Sequence, residues 1–488
     1  MSAKKFGFVF GLAIFVLLLV MPAPEGMEPS AMRVAAIALL MAVWWITEPI
    51  PIAATSLLPI ALYPLLGIMS SAATTRSYAD HVIFLMMGGF FLAAAIERWN
   101  LHRRIALTIL KLSGDTPSRL ILGFIVATAS LSMWISNTAT AVMMIPIGIS
   151  VLSQVIGSKE ALADEKRRKQ ESNFSKSLVL AIAYTASIGG FITIIGTPPN
   201  VILAGIMNNV YGLSIGFAQW MTISVPISIT MLVCMYLLLT KVIFRTGDLK
   251  LASGKEFVAL EIQKLGPITT PEKMTLIIGG FMAFCWIFRE LIIAIPVFSM
   301  VTDTTIAITG ALLLFLCPSF KDDEKLLDWK TAAKIPWGIV LLFGGGLTLA
   351  SGFEATGLAT WVSENLVLSG IPILLFVFTI VLVVNVLTEF MSNTAIATLF
   401  IPVMGAAAIA AGFHPFSAAV ATAITASFSF MMPVATPPNT IAFGSGYLRV
   451  KDMAIAGIFL NIIGQIICVL AIVYLLPLVW GVDMMAFP

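Results

Sequence analysis

The chain contains the same polar motif twice, as Ser136-Asn137-Thr138 and as Ser392-Asn393-Thr394. Each copy is followed by a second repeated motif, Thr197-Pro198-Pro199-Asn200 in the first half and Thr436-Pro437-Pro438-Asn439 in the second. These clusters interrupt a sequence that is otherwise strongly apolar. Lipid tolerates irregular polar backbone only where it is buried in protein or lines a watery cavity. Matching breaks in both halves are therefore typical of a transporter built from repeats around a midplane site.

The composition places the chain among polytopic helical membrane proteins. Of its 488 residues, 59% are hydrophobic and only 11% are charged, and the mean hydropathy is +1.01. A soluble protein would carry about a quarter charged residues. The net charge of +3 indicates no nucleic-acid partner, and the four cysteines show neither disulfide nor metal-site spacing.

A membrane-spanning helix needs about 20 apolar residues. Two apolar stretches, 120–155 and 370–410, carry a Ser-Asn-Thr motif near the middle. Basic residues flank the first stretch at both ends and would lie on opposite sides of the membrane if it crossed once. We therefore predict that both stretches are re-entrant helical hairpins with the motifs at their tips. About eleven spanning helices complete the predicted fold, near residues 6–22, 31–47, 50–68, 80–97, 178–210, 220–244, 274–292, 302–318, 336–354, 416–447 and 453–482.

The distribution of basic residues predicts the orientation of these helices. With a cytoplasmic N-terminus, 25 of the 28 Lys and Arg residues fall on the cytoplasmic side, and the opposite orientation inverts that ratio. Most of them lie in the stretch 98–119 and in the loops 157–176, 241–273 and 318–334. Because the predicted number of spans is odd, the C-terminus is expected to be extracytoplasmic.

The second half of the chain echoes the first. Leu85-Met86-Met87-Gly88-Gly89 matches Leu342-Phe343-Gly344-Gly345-Gly346 at an offset of 257 residues, and the Ser-Asn-Thr motifs are 256 residues apart. These glycines are expected to allow close helix packing. An odd number of spans before the repeat restarts inverts the second copy, which is the requirement for alternating access. The predicted units are scaffold helices in 1–79, repeat 1 in 80–244, a loop with scaffold helices in 245–335, and repeat 2 in 336–488.

A hairpin tip exposes unpaired helix-terminal groups at membrane depth. The N–H groups at helix N-termini suit an anion, whereas carbonyl oxygens at helix C-termini suit a cation. Ser, Thr and Asn side chains add oxygens that can bind either partner. No Lys, Arg or His lies within several residues of the four clusters, so co-bound cations are expected to neutralise a dianionic substrate. The alternative interpretation is that the motifs only cap and kink helices, and the symmetry of the four clusters argues against it.

Glu389 is the one clear carboxylate within a predicted hairpin, and an intramembrane acid is a functional candidate by default. No matching acid precedes Ser136, where Trp134 and Ile135 stand. We therefore expect a structural role for Glu389, held by backbone N–H groups and by neighbours such as Thr388 and Asn385.

The sequence disfavours two other functional classes. An ion channel is disfavoured because symmetric, occluded tips suit a gated binding site better than a continuous pore. An enzyme is disfavoured because HExxH, nucleophile-elbow and phosphate-loop motifs are absent from the sequence.

At these motifs the chain resembles the divalent anion:sodium symporter family. The resemblance implies a homodimer in the bacterial plasma (inner) membrane, surrounded by lipid, in which a transport domain moves like an elevator against a scaffold domain. It further implies sodium-coupled symport of C4-dicarboxylates such as succinate. Some family members instead exchange dicarboxylates or citrate without sodium, and this remains the alternative. The matching stretches are 131–141, 196–200, 387–395 and 433–439.

The resemblance also assigns residues to at least two sodium sites and one substrate site. The first sodium site would use Ser132, Ser136, Asn137 and the Gly196 carbonyl. The second would use Thr388, Asn393 and the carbonyls of Met391 and Ala435. Residues expected to contact or shape the substrate are Asn137, Thr138, Thr197, Pro198, Ser392, Asn393, Thr394, Thr436 and Pro437.

Overall fold

The computed structural model describes residues 2–114, 116–155, 165–246, 254–320, 324–365 and 370–486. Over these ranges the chain is helical and contains no β-strand beyond one isolated bridge between Pro318 and Lys325. The predicted all-α class is thus confirmed. Within the described ranges, six helices are long and apolar enough to cross a membrane: 29–47, 71–98, 217–243, 337–355, 393–410 and 450–480.

The first half begins with helices that surround the later breaks. They are α1 (Ala3–Val20), α2 (Pro29–Thr47), α3 (Ile52–Thr55), α4 (Leu58–Leu65), α5 (Ser71–Arg76), α6 (His81–Arg98) and α7 (Leu101–Leu112). The broken segments follow as α8 (Pro117–Ser132), α9 (Asn137–Val155), α10 (Glu165–Gly190), α11 (Pro198–Tyr211) and α12 (Phe217–Leu237), which a π-helix continues over Leu238–Ile243.

The second half repeats this order. Connecting helices come first, as α13 (Gly254–Leu265), α14 (Thr270–Ile287), α15 (Arg289–Ile293), α16 (Asp303–Leu316), α17 (Trp329–Ala332), α18 (Trp337–Ala355) and α19 (Leu358–Asn365). The broken segments are α20 (Ile373–Thr388), α21 (Asn393–Ala410), α22 (Phe416–Thr425), α23 (Pro437–Gly444), α24 (Val450–Leu470) and α25 (Leu476–Trp480).

Two sequence expectations are corrected by the helix boundaries. The predicted span 50–68 is not one helix but the short pair α3 and α4, because prolines that lack an N–H stand at Pro51 and Pro59, where each helix starts. Part of the predicted loop 157–176 is helical, since α10 already begins at Glu165. Positions 115, 157–164, 247–253 and 321–323 of the predicted cytoplasmic stretches lie outside the described residues.

The basic stretch after α6 holds a helical layer together through ion pairs. Arg103 contacts Glu261 of α13 at 2.6 Å, and Arg104 contacts Glu272 of α14 at 2.7 Å. The hydrogen bond from Lys264, together with Arg103, holds the pKa of the Glu261 carboxyl below its usual range. The basic residues of this amphipathic helix therefore dock the segment 254–272.

The repeated glycines lie where helices approach closely, as predicted. A methyl group at Gly345 of α18 would collide with the backbone of Ser56, and one at Gly346 with the Thr398 side chain of α21. A methyl at Gly89 of α6 would press on Ile195. The glycines thus bring α6 and α18 against the broken segments.

Candidate functional site

The first pair of breaks consists of short interruptions between two consecutive helices. Helix α8 ends at Ser132 and α9 begins at Asn137, while α20 ends at Thr388 and α21 begins at Asn393. The first-turn N–H groups of α9 and α21 have no partner within their own helices. Each tip therefore combines a positive helix N-terminus with polar side chains.

The second pair of breaks is longer and is closed by the Thr-Pro-Pro-Asn motifs. Helix α10 ends at Gly190 and α11 starts at Pro198, and α22 ends at Thr425 before α23 starts at Pro437. Thr197 and Thr436 precede these helices in extended conformation. Proline suits the first position of a helix because its missing N–H would be unpaired there.

The final asparagine of each motif fixes the unwound segment before it. The Asn200 side-chain amide donates to the carbonyl of Thr193 at 2.7 Å, and that of Asn439 donates to the carbonyl of Met432 at 3.1 Å. Each bond spans seven residues. The two breaks thus share one internal geometry, which a pair of unrelated kinks would not show.

All four breaks meet at one cavity of ≈ 610 Å³. Ser132 and Thr388 lie behind its wall, fully buried. All other residues assigned to the sodium and substrate sites line the cavity: Ser136, Asn137, Thr138, Gly196, Thr197, Pro198, Met391, Ser392, Asn393, Thr394, Ala435, Thr436 and Pro437. The structure therefore brings together two tips that are 256 residues apart in sequence.

A buried hydroxyl stands behind each tip asparagine. Ser132 Oγ lies 2.8 Å from Asn137 Oδ1 and 2.6 Å from the Ala186 carbonyl oxygen. In the second half, Thr388 Oγ1 lies 2.8 Å from Asn393 Oδ1 and 2.7 Å from the Ala426 carbonyl oxygen. The sequence motifs did not reveal the two carbonyls, because any residue can supply one.

Each of these two clusters places a hydroxyl within hydrogen-bond distance of an amide side chain and a backbone carbonyl. A hydroxyl carries one hydrogen, so Ser132 can donate to only one of its two oxygen neighbours, and the same holds for Thr388. In the second half the hydroxyl of Ser429 also donates to Asn393 Oδ1, at 3.2 Å. Hydroxyl, amide and carbonyl oxygens are the kinds of ligand that a small hard cation prefers.

Backbone N–H groups hold Glu389 as the sequence predicted, whereas its side-chain partner differs from the expected neighbours. Its carboxylate accepts hydrogen bonds from the backbone N–H groups of Phe430, Met431 and Met432 at 2.8–3.1 Å. The Asn461 side chain donates to it as well, at 2.7 Å. The expected neighbours Thr388 and Asn385 are not among these partners.

Residues outside the four motifs, which the sequence did not reveal, form the opposite wall of the cavity. It includes Trp45 and Glu48 at the end of α2, and Met86 and Phe90 of α6. Glu48 adopts a left-handed backbone conformation with φ 45° at the C-cap of α2. Among the described residues that line the cavity, Glu48 supplies the one carboxylate, and none is Lys, Arg or His. The charge of this cavity therefore favours cations, as the sequence indicated.

Comparison with known proteins gives a consistent family. The family model described as "Sodium:sulfate symporter transmembrane region" matches residues 2–481. The sodium-dependent dicarboxylate transporter SdcS of Staphylococcus aureus strain USA300 is 43% identical over 488 residues, covering 99% of this chain and 93% of that protein. SdcS of Staphylococcus saprophyticus is 40% identical over 482 residues, covering 98% and 92%.

Two solved transporter structures share the fold at low sequence identity. Neisseria gonorrhoeae MtrF, from a class of antimetabolite efflux pumps, superposes with a TM-score of 0.58 at 11% identity, covering 97% of this chain and 94% of MtrF. The Alcanivorax borkumensis YdaH transporter gives a TM-score of 0.54, also at 11% identity, covering 99% and 98%. At this identity the likeness concerns the fold alone.

Proposed function

Because this chain belongs to the sodium:sulfate symporter family, whose matched relatives are membrane transporters and not enzymes, we propose that it couples sodium entry to uptake of C4-dicarboxylates. The observation that carries the proposal is the pair of oxygen clusters behind Asn137 and Asn393. Each cluster brings hydroxyl, amide and carbonyl groups together beside the cavity, and their oxygens are the type of ligand that a small hard cation such as sodium binds. The named activity of the SdcS relatives supports the same choice of cation and substrate.

The first sodium ion is assigned to Ser132, Ser136, Asn137 and the Gly196 carbonyl. The second is assigned to Thr388, Asn393 and the carbonyls of Met391 and Ala435. A methyl group at Gly190 would collide with the Asn137 amide oxygen, so this glycine leaves room for the amide beside the first site. Two ions then flank the cavity from opposite tips.

The substrate carboxylates are assigned to the space between the two ions. Thr138 and Thr394 lie in the first turns of α9 and α21, where helix N–H groups and the macrodipole attract anions. Thr197 and Thr436 add hydroxyl groups from the other two breaks. Since no described lining residue is basic, sodium must bind before the dianion to complete its site.

Movement is proposed to follow the division between broken and intact helices. The broken segments α8–α12 and α20–α24 would form the transport domain, and α1–α7 with α13–α19 the scaffold. Glycines line part of the boundary, where Gly89 meets Ile195 and Gly346 meets Thr398. Small residues give a smooth surface along which one domain can slide against the other. We further propose a homodimer in the bacterial plasma membrane with the N-terminus cytoplasmic and the C-terminus outside.

Radiolabelled succinate uptake into proteoliposomes tests the function. We expect uptake to require an inward sodium gradient and to fall to background when potassium replaces sodium. Uptake that ignores sodium but requires internal dicarboxylate would instead support the exchanger. For orientation, single cysteines replacing Arg168 and Lys334 in a cysteine-free background should react with an impermeant reagent only from the cytoplasmic side.

A further inference from the structure

A second concavity lies on the outer surface of helices α8 and α12, behind the first tip. We call it the α8–α12 groove; its volume is ≈ 330 Å³. Four of its side chains are 44–56% exposed although they are large and apolar, namely Leu122, Val126, Ile229 and Val233. In an integral membrane protein such side chains face lipid. The remaining lining residues are Ile125, Ala129, Ser130, Met133, Ile192, Leu232 and Tyr236.

One end of the groove carries exposed positive charge. Arg119 lies on the same face of α8 as Leu122 and Val126, at helical spacings of three and seven residues. Lys241 and Arg245 follow the C-terminal end of α12 and are also exposed. Over the described ranges, none of these three cations takes part in an ion pair.

The two sides of this charged end are in contact. The hydroxyls of Ser118 and Thr246 lie 3.4 Å apart, and these residues are the chain neighbours of Arg119 and Arg245. The contact brings the start of α8 to the end of the α12 segment. An apolar channel on the membrane-facing surface thus ends near three exposed cations, a polarity that suits an anionic phospholipid.

The inner end of the groove touches the first tip. The Met133 side chain lines the groove. Its carbonyl oxygen accepts a hydrogen bond from Thr193 Oγ1 at 2.6 Å, close to the oxygen cluster of the first tip. Ile192 also lines the groove, and its carbonyl accepts from Ser224 Oγ at 2.6 Å. A molecule in the groove would therefore press on the backbone that holds the first tip.

We propose that the α8–α12 groove binds one anionic phospholipid of the cytoplasmic leaflet. One acyl chain fills the apolar channel down to Met133 and Ile192, and the phosphate binds Arg119, Lys241 and Arg245. The cytoplasmic leaflet supplies anionic lipids, and basic residues near its surface attract them. By supporting Met133 and Ile192, the lipid stabilises the first tip; this consequence for transport rests on the proposed function.

Native mass spectrometry of the purified full-length protein tests binding without any transport assay. The protein is incubated with phosphatidylglycerol or phosphatidylcholine, and retained lipid is counted. We expect wild type to retain phosphatidylglycerol preferentially, and the triple variant Arg119→Gln, Lys241→Gln, Arg245→Gln to lose retention by about fivefold per cation removed. The matched control is Lys325→Gln, Lys330→Gln, Lys334→Gln, which removes three exposed cations elsewhere and should bind like wild type.

The acyl-chain placement is tested separately by Ser130→Phe, which fills the groove with an apolar ring. We expect this variant to retain less lipid while its melting temperature stays close to that of wild type. Equal retention by wild type and the triple variant, or an equal loss in the lysine control, would overturn the proposal. So would undiminished retention by Ser130→Phe, since the retained lipid would then lie outside the groove.

Discussion

The two hairpin tips match in the atoms that face the cavity and differ in the layer behind them. Ser132 and Thr388 hold Asn137 and Asn393 with the same 2.8 Å contact. Behind the first tip, however, stand Ala129 and Met133, whereas Asn385 and Glu389 occupy the corresponding positions 256 residues later. The symmetry is therefore kept where ions would bind and lost where the tip is only supported.

The second tip is supported by buried hydrogen bonds. Glu389 accepts hydrogen bonds from backbone N–H groups and from the Asn461 side-chain amide. Asn385 accepts a hydrogen bond from the Gln465 side-chain amide at 2.8 Å. Both bonds to α24 side chains tie α20 and α24 together. At the first tip Ala129 and Met133 offer no such groups, and α8 stands apart from α12 around the groove. Buried polar contacts thus stand behind the second tip, whereas the α8–α12 groove lies behind the first.

The largest effect is expected from removing either tip asparagine. Asn137→Ala and Asn393→Ala each delete the amide oxygen next to a cation cluster, so we expect sodium-driven uptake to fall to background in both variants. Radiolabelled succinate uptake, with size-exclusion chromatography to confirm a folded protein, measures this. Asn365→Ala, on an exposed position of α19, is the control and should transport normally. Normal uptake in either tip variant would refute the site assignment for that half.

The substitution Glu389→Gln tests the polar contacts behind the second tip. The amide keeps the size of the carboxylate but turns an NH₂ group toward backbone N–H donors that were paired with an oxygen. Leaving a buried donor unpaired and losing a charge-assisted bond should destabilise the protein by about 3 kcal/mol. Thermal unfolding would detect the change as a lower melting temperature.

Met133→Leu is the matching substitution in the first half. An apolar exchange of similar volume should cost less than about 1.5 kcal/mol, because no hydrogen bond is lost. If the two variants melt at the same temperature, the second tip does not depend on its polar support, and the contrast between the halves fails.

The features that the sequence predicted are those with local signals. Polar clusters and Pro-Pro pairs mark helix breaks wherever they occur, so the positions of the tips at Asn137 and Asn393 followed directly. Prolines also mark helix starts at Pro51 and Pro59, where the predicted single helix is in fact two. Helix breaks can be predicted from neighbouring residues alone.

The features that the sequence did not reveal depend on distant partners. Glu389 was expected to be held by backbone N–H groups, yet Asn461 is 72 residues away, and no sequence pattern marks a backbone donor. No sequence pattern marks the carbonyls of Ala186 and Ala426 either, because every residue has a carbonyl. Glu48 reaches the cavity from α2, so only the packing of helices places it opposite the tips.

Removing sodium should lower the stability of the protein, and variants in one oxygen cluster at a time show how much each cluster contributes. Sodium at about 100 times its dissociation constant would stabilise one site by about 2.7 kcal/mol. Ser132→Ala and Thr388→Ala each remove a single cluster hydroxyl, so each variant should lose only part of the stabilisation that sodium gives wild type. Thermal unfolding in sodium chloride and in choline chloride measures the difference. A variant that keeps the whole sodium effect would exclude its cluster as a cation site.

The smallest effect is expected from the hydrogen bond between Asn385 and Gln465. A single side-chain bond between membrane helices contributes about 0.6 kcal/mol on average, because the polar groups find other partners when the helices separate. A double-mutant cycle with Asn385→Ala and Gln465→Ala, read by thermal unfolding, isolates that coupling from the loss of each side chain. The control cycle pairs Asn385→Ala with Asn365→Ala and should give no coupling, since the Asn365 side chain donates to the Trp361 carbonyl instead. A coupling of equal size in both cycles would mean that the measured coupling does not come from the Asn385–Gln465 hydrogen bond.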